Sequence, residues 1–285
     1  MPFPAQSALF PEAFPEAHPD AFVAAAVPAL LFRDLDDIQD RLIAWTGAPP
    51  PREVWDPLTH LIYSICSART KDPESIATMR MLRERYDGWP TGPNSWDEVR
   101  WEKLRDAPVA EIEDMLRLVT FPERKAPQLK QTLQRITERT GALSLQFLAR
   151  YRTEKIRAWV EELPGAGVKA SAAVVNFSSL RRAAIAIDGH HQRIAIRLGI
   201  APEKATSRQV EQALMSLIPA AWTPVTMDEH HTLVKRLGQQ VCTLREPQCR
   251  RCPLHSICIT GQRDAPGPAF ATVPDRSAAR RTTTD

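Results

Sequence analysis

Four of the chain's five cysteines fall within "CTLREPQCRRCPLHSIC", Cys242 to Cys258, at the spacing C-x6-C-x2-C-x5-C. Thiols this close can pair as disulfides, bind zinc or hold an iron–sulfur cluster. The N-terminus, "MPFPAQS", lacks the basic stretch that opens a secretory signal. No apolar run reaches the roughly 20 residues of a membrane span, and "FVAAAVPALLF" is shorter and carries Pro28. A reducing cytoplasmic setting is therefore expected, where stable disulfides are disfavoured. Zinc and iron–sulfur remain.

A second group of reactive residues lies upstream. In "LPGAGVKAS" (163–171), Pro164 opens a tight turn and Gly165 and Gly167 permit left-handed backbone angles. The helix that follows presents bare N–H groups, a natural site for phosphate. Lys169 lies on its first turn. There it can contact a phosphate, or, if burial and nearby charge lower its pKa, attack a sugar carbon and form a Schiff base. That chemistry needs a carboxylate to stabilise a developing sugar cation. Asp188, in "AAIAIDGHHQRIAIRLG", stands at the end of an apolar run and suits that role as well as the N-cap of the next helix.

The elements that must position these residues read as helices, with almost no alternating strand pattern. Helices are expected at 34–46, 57–68, 73–86, 95–104, 109–119, 124–139, 153–162, 168–178, 190–198, 206–217 and 227–240, with Pro- and Gly-containing joints such as "GAPPP" and "LPGAG". Residues 1–30 read as a disordered arm rich in Pro, Ala and acids, and 263–285 as a disordered tail. Net charge is only +3, but its distribution is uneven. Residues 1–60 carry nine acids against three arginines, whereas 150–197 carry nine bases against four acids. A basic region on a near-neutral chain suits a polyanion bound on one face.

Taken in order, "SARTKD" (67–72), "LPGAGVKAS" (163–171), "IDGHHQRI" (187–194) and the cysteine spacing resemble the endonuclease III branch of the helix-hairpin-helix (HhH-GPD) DNA glycosylases, over roughly residues 34–262. The resemblance implies a [4Fe-4S] cluster on Cys242, Cys249, Cys252 and Cys258. Independently, zinc ribbons favour two C-x2-C pairs, while only Cys249 and Cys252 form one here. The family's nucleophile matches Lys169 and its catalytic aspartate matches Asp188. Arg69 and Phe121 match side chains that fill the gap left by a flipped base, and Gly165, Gly167, Arg193 and Arg245 are expected to meet the DNA backbone. The adenine-specific branch carries a glutamate in the helix "PLTHLIYSICSAR", which here contains no acid.

The resemblance further implies an all-α fold of two lobes flanking a DNA groove. Residues 55–178 would form a six-helix barrel ending in the hairpin 153–178, and 31–54 would join 179–262 in the cluster lobe. The expected activity is base excision, with AP lyase cleavage at the abasic site. The expected partner is double-stranded DNA carrying damaged bases, oxidised pyrimidines foremost, or abasic sites. A monomer is expected, without membrane attachment and associated with the nucleoid through DNA. Gly189 stands where the family has a hydroxyl residue, Arg69 where it has an amide, and Pro122 enters the loop of Phe121. These departures leave room for a DNA-binding protein without turnover, and the adenine-specific reading stands behind it.

Overall fold

The computed structural model describes residues 34–87 and 100–267, and among these it contains twelve α-helices and no strand. The chain is all-α. The described residues fold as two compact units: 53–87 and 100–182 form the first, and 34–52 join 183–267 in the second. Helix α1 (Leu35–Thr46) belongs to the second unit. Among the described residues no helix is long and apolar enough to cross a membrane.

The first unit holds α2 (Pro57–Ser67), α3 (Asp72–Asp87), α4 (Trp101–Asp106), α5 (Val109–Met115), α6 (Pro122–Thr140), α7 (Thr153–Glu161) and α8 (Val168–Phe177). Helix α2 starts cleanly because Asp56 accepts from the Leu58 and Thr59 amides and Pro57 fits the first turn. It is buried almost along its length and packs against α8, whose Ala172, Ala173, Val174 and Val175 are fully enclosed. Small residues on α8 let the two helices approach closely. Trp159 of α7 is completely buried, edge-on to Phe147 at 5.4 Å.

In the second unit α10 (Ser207–Met215), α11 (Pro224–Gln240) and α12 (Ile259–Asp264) pack on α9 (Gly189–Leu198), and α1 packs on α11. Ile38 and Leu42 of α1, Ile194 of α9, Val210 of α10, and Leu233 and Leu237 of α11 form one apolar core. The buried run Ala184–Ile187, outside any helix, contributes Ile185 and Ile187 to this core. Its Ala186 carbonyl is satisfied by the His231 ring at 2.9 Å, as a buried backbone group must be.

Ten of the expected helices are present within a few residues. The one expected at 95–104 starts at Trp101 among the described residues; 88–99 lie outside them. Helix α12 and the 3₁₀ turns Gln146–Arg150, Cys249–Arg251 and His255–Ile257 were not anticipated, being too short to carry a helical period. The expected arm 1–30 lies outside the described residues, as does the tail past Gly267; its first residues belong to α12.

Helices α9 and α11 meet at Gly238, where an added Cβ would fall 2.5 Å from His190 Nδ1 and 2.6 Å from His190 Cβ. Gly238→Ala should therefore cost about 1–3 kcal/mol through overpacking. Gly167→Ala, with nothing within 4 Å, should cost under about 1 kcal/mol. Thermal unfolding of both variants checks the contrast, and equal losses would show that the close approach is unimportant.

Candidate active site and cysteine centre

Asp188 is the N-cap of α9. Its Oδ1 accepts from the His190 amide at 2.8 Å, the His191 amide at 2.9 Å and the His191 ring Nδ1 at 3.0 Å. Among the described residues Oδ2 takes no hydrogen bond, so one oxygen is tied down and the other is uncommitted. Burial alone would raise this carboxyl. The hydrogen bond from His191 and the fields of His191 and His231 outweigh burial and hold it well below the usual carboxylate range. His191 is itself 1% exposed and stacks on His231, with centroids 4.5 Å apart and ring planes 9° from parallel. His230, behind them, is pushed down to about 3 by burial, with His191 adding to the effect. It shares a hydrogen bond of 2.9 Å with Gln39 of α1.

The four cysteines line a cavity with about 290 Å³ of atom-free space, open to solvent, shared with Arg197, Pro247, His255 and Gly261. All four are free thiols. Among the described residues no three His, Cys, Asp or Glu side chains are grouped to grip a single metal ion; these four thiols are spread around the cavity instead. Burial pushes the Cys252 thiol up to about 12 and also raises Cys249 and Cys258. Deprotonating such thiols calls for a positive centre among them. Arg197 reaches the Cys242 sulfur at 3.2 Å, and the Gly261 amide points at the Cys258 sulfur at 3.4 Å. Cys66 is a separate matter: it is buried in α2 of the first unit, and its thiol is pushed up to about 12 by burial.

In the first unit, α7 and α8 form the hairpin. Gly165 has φ +76°, and a Cβ there would press on Gln128 at 3.2 Å, so this turn position requires glycine. Gly167 departs from expectation. Its φ is −106°, an extended N-cap angle open to any residue, because the chain has already turned at Gly165. No side chain caps α8, and Lys169 is its second residue, half-buried. Ser171 joins the two helices by donating to Glu161 Oε1 at 2.6 Å and accepting from Arg157 at 3.2 Å.

Arg69 and Phe121 occupy exposed turns in left-handed conformations, φ +58° and +61°, rare for residues other than glycine. Arg193, expected at the DNA backbone, turns inward instead. Its guanidinium donates to the carbonyls of Cys242 at 2.8 and 3.0 Å and of Gly238 at 2.9 Å. These carbonyls end α11 and begin the cysteine loop, where a fork of donors is needed. Arg157, Arg181, Arg182 and Arg197 likewise bond to their own chain, so the basic stretch is less free than its charge count implies. Arg245 is exposed. Two residues escaped the sequence reading. His191 was visible as a polar residue three positions after Asp188, whereas Lys125, buried in the first unit, left no local sign.

Residues 62–220 match the HhH-GPD superfamily of base excision DNA repair proteins. The chain belongs to that superfamily. Within it, endonuclease III of Bacillus subtilis is 32% identical over 164 residues, 58% of this chain and 68% of the relative, which makes the chain a member of the endonuclease III family. The rice protein ROS1A is 26% identical over 178 residues; the chain spans 9% of that protein's length. A solved endonuclease III trapped as a covalent intermediate with DNA shares the fold, with TM-score 0.63 at 22% identity, over 81% of this chain and 96% of that one.

In this family member the charge of Asp188 has a consequence for stability. A carboxylate held below its unfolded value stabilises the fold at any pH above that value, about 4, and the benefit drains away as pH falls further. Asp188→Asn keeps a cap acceptor but loses the charge. It should be less stable than wild type by about 1–2 kcal/mol at pH 7, with the gap narrowing below about pH 4. Thermal unfolding of both proteins at neutral and acid pH measures this, and a gap independent of pH would assign Asp188 a purely steric role.

Proposed function

We propose that this chain is a DNA glycosylase with AP lyase activity, removing damaged bases, oxidised pyrimidines foremost, from double-stranded DNA and nicking the abasic strand. The observation that carries the reading is Asp188: an ionised, mostly buried carboxylate fixed through Oδ1 with Oδ2 uncommitted. A group held in this way can stabilise positive charge on a sugar without rearranging during the reaction. Lys169 is assigned the nucleophile. Its neutral amine attacks C1′ as the C1′–N bond breaks, and the base leaves with the bonding electrons and gains a proton. Asp188 stabilises the cationic character that develops at the sugar in this step. Opening of the sugar ring gives a protonated Schiff base on Lys169. Loss of a C2′ proton then expels the 3′ phosphate, and water releases the amine.

The uncapped N-terminus of α8 suits a DNA phosphate, since its amides point outward with a favourable dipole. Gly165 and Gly167 let a strand approach there. Arg69 and Phe121 are assigned to the gap left by the extruded base, where inserted side chains offset the cost of unstacking. Arg245 is assigned a backbone contact beside the cysteine loop; Arg193 is assigned to hold that loop.

Cys242, Cys249, Cys252 and Cys258 fit a [4Fe-4S] cluster: four soft donors around a cavity, with Arg197 and the Gly261 amide turned to their sulfurs. When bound, such a cluster supplies iron–thiolate links that hold the loop. Three of these cysteines, Cys242, Cys252 and Cys258, pack on the apolar core of the second unit, so the loop's order and the fold's stability are coupled.

Anaerobically purified protein should contain about four irons per chain; one zinc and no iron would overturn the cluster assignment. Borohydride trapping on abasic duplex DNA tests the chemistry. Wild type should form a covalent adduct and Lys169→Gln none, while retaining affinity because phosphate contacts dominate binding. Asp188→Asn should slow base removal by roughly 10²–10³-fold and spare cleavage of a preformed abasic site. Full trapping by Lys169→Gln would move the nucleophile elsewhere, and absence of any adduct with wild type would leave a DNA-binding protein.

A further inference from the structure

Lys125, in the first turn of α6, is 6% exposed and has no carboxylate partner among the described residues: its Nζ donates to Cys66 O at 2.7 Å, Ala68 O at 2.7 Å and Thr70 Oγ1 at 3.0 Å. Two of these acceptors are carbonyls at the C-terminus of α2, where the helix dipole is negative and carbonyls lack helical partners. An ammonium buried this way carries a large desolvation cost, which a methionine of similar length would avoid. Its compensation is directional. The three bonds fix the turn Ala68–Thr70, and Arg69 is the residue in the middle of that turn.

A second set of bonds ties the same turn to Phe121. Thr70 Oγ1 accepts from the Thr120 amide at 3.0 Å, and Thr120 Oγ1 donates to Arg69 O at 3.0 Å. Phe121, the next residue, is the N-cap of α6, and its carbonyl accepts from the Lys125 amide at 3.1 Å. Both Arg69 and Phe121 are thus held at positive φ, a strain of about 1–3 kcal/mol each that persists only where the surroundings overdetermine it. Phe121 is nonetheless 44% exposed, and Arg69 is exposed. Two strained, solvent-facing tips share one buried staple.

We propose that the Arg69 and Phe121 turns act as a single preorganised two-pronged wedge, with Lys125 as the positioning residue that sets both prongs. This rests on the glycosylase reading, because a wedge has work to do only where a base must leave a duplex. Lys125 touches no DNA in this scheme and acts through the turns it holds.

The test compares borohydride trapping at an abasic site in a fully paired duplex with trapping at the same site centred in an unpaired bubble, where no stack must be opened. Lys125→Met should lose at least about tenfold in the duplex and less than about twofold in the bubble. It should also lose the fluorescence rise of 2-aminopurine placed opposite the abasic site. Lys125→Arg should recover part of both signals. Thr70→Val, a milder cut in the same network, should show the duplex-selective loss to a smaller degree and covers the case in which Lys125→Met does not fold. Phe121→Ala added to Lys125→Met should cost little more, because the two changes disable one element. Parallel losses in duplex and bubble, no loss in either, or additive losses in the double variant would overturn the proposal. If wild type forms no adduct on either substrate, the glycosylase reading falls and takes this inference with it.

Discussion

A carboxylate can remain charged when mostly buried only if fixed donors replace its water, and Asp188 finds them at the start of α9. Two backbone amides and the His191 ring converge on one oxygen. The amides exist there because the chain leaves a buried run and enters a helix at Asp188, itself extended. The His191 ring is oriented by its stack on His231, which is anchored in turn to the Ala186 carbonyl of that same run. The site therefore closes on itself: the segment that delivers the aspartate also fixes the histidine that supports the aspartate's donor.

The same helix reaches the cysteine loop. Arg193, one turn in, bonds the Cys242 carbonyl; Arg197, a further turn on, bonds the Cys242 sulfur and the Thr243 and Leu244 carbonyls. At 1.5 Å per residue the ten residues of α9 span about 15 Å, with a carboxylate fixed at one end and thiols at the other. This gives a physical sense to a metal-type centre in a protein whose proposed chemistry runs through an amine and a carboxylate. A loop of seventeen residues, mostly 3₁₀ turns and coil, has little regular structure of its own, and ligation would supply the order that α9 needs at its far end.

What could be read in the sequence was local. Asp188 caps its helix as a short polar residue after an apolar run does, and the Pro-Gly turn at 164–165 folds as its residue types require. Gly167, two residues later, does not adopt the left-handed angle expected of it, because composition cannot say which of two nearby glycines carries the turn. Counting bases also could not place Arg193. Its partners are carbonyls 45 and 49 residues away, and a charge on a helix gives no sign of whether it faces solvent or a distant loop. Lys125 was hidden for the same reason, since its acceptors lie 55 to 59 residues upstream.

Lys125 and Asp188 follow one rule with opposite sign. In the first unit a cation closes the C-terminus of α2, and in the second an anion closes the N-terminus of α9. Each satisfies helix-end groups that would otherwise be orphaned, and each is held by more than one partner, so its direction is fixed as well as its energy. An apolar residue in either place would remove the desolvation cost but leave the helix end unpaired and the adjoining turn free to relax. For a protein that must keep a carboxylate oxygen or a pair of strained tips in a set position, a buried charge is the better device. Apolar packing holds volume; a charge at a helix end also holds orientation.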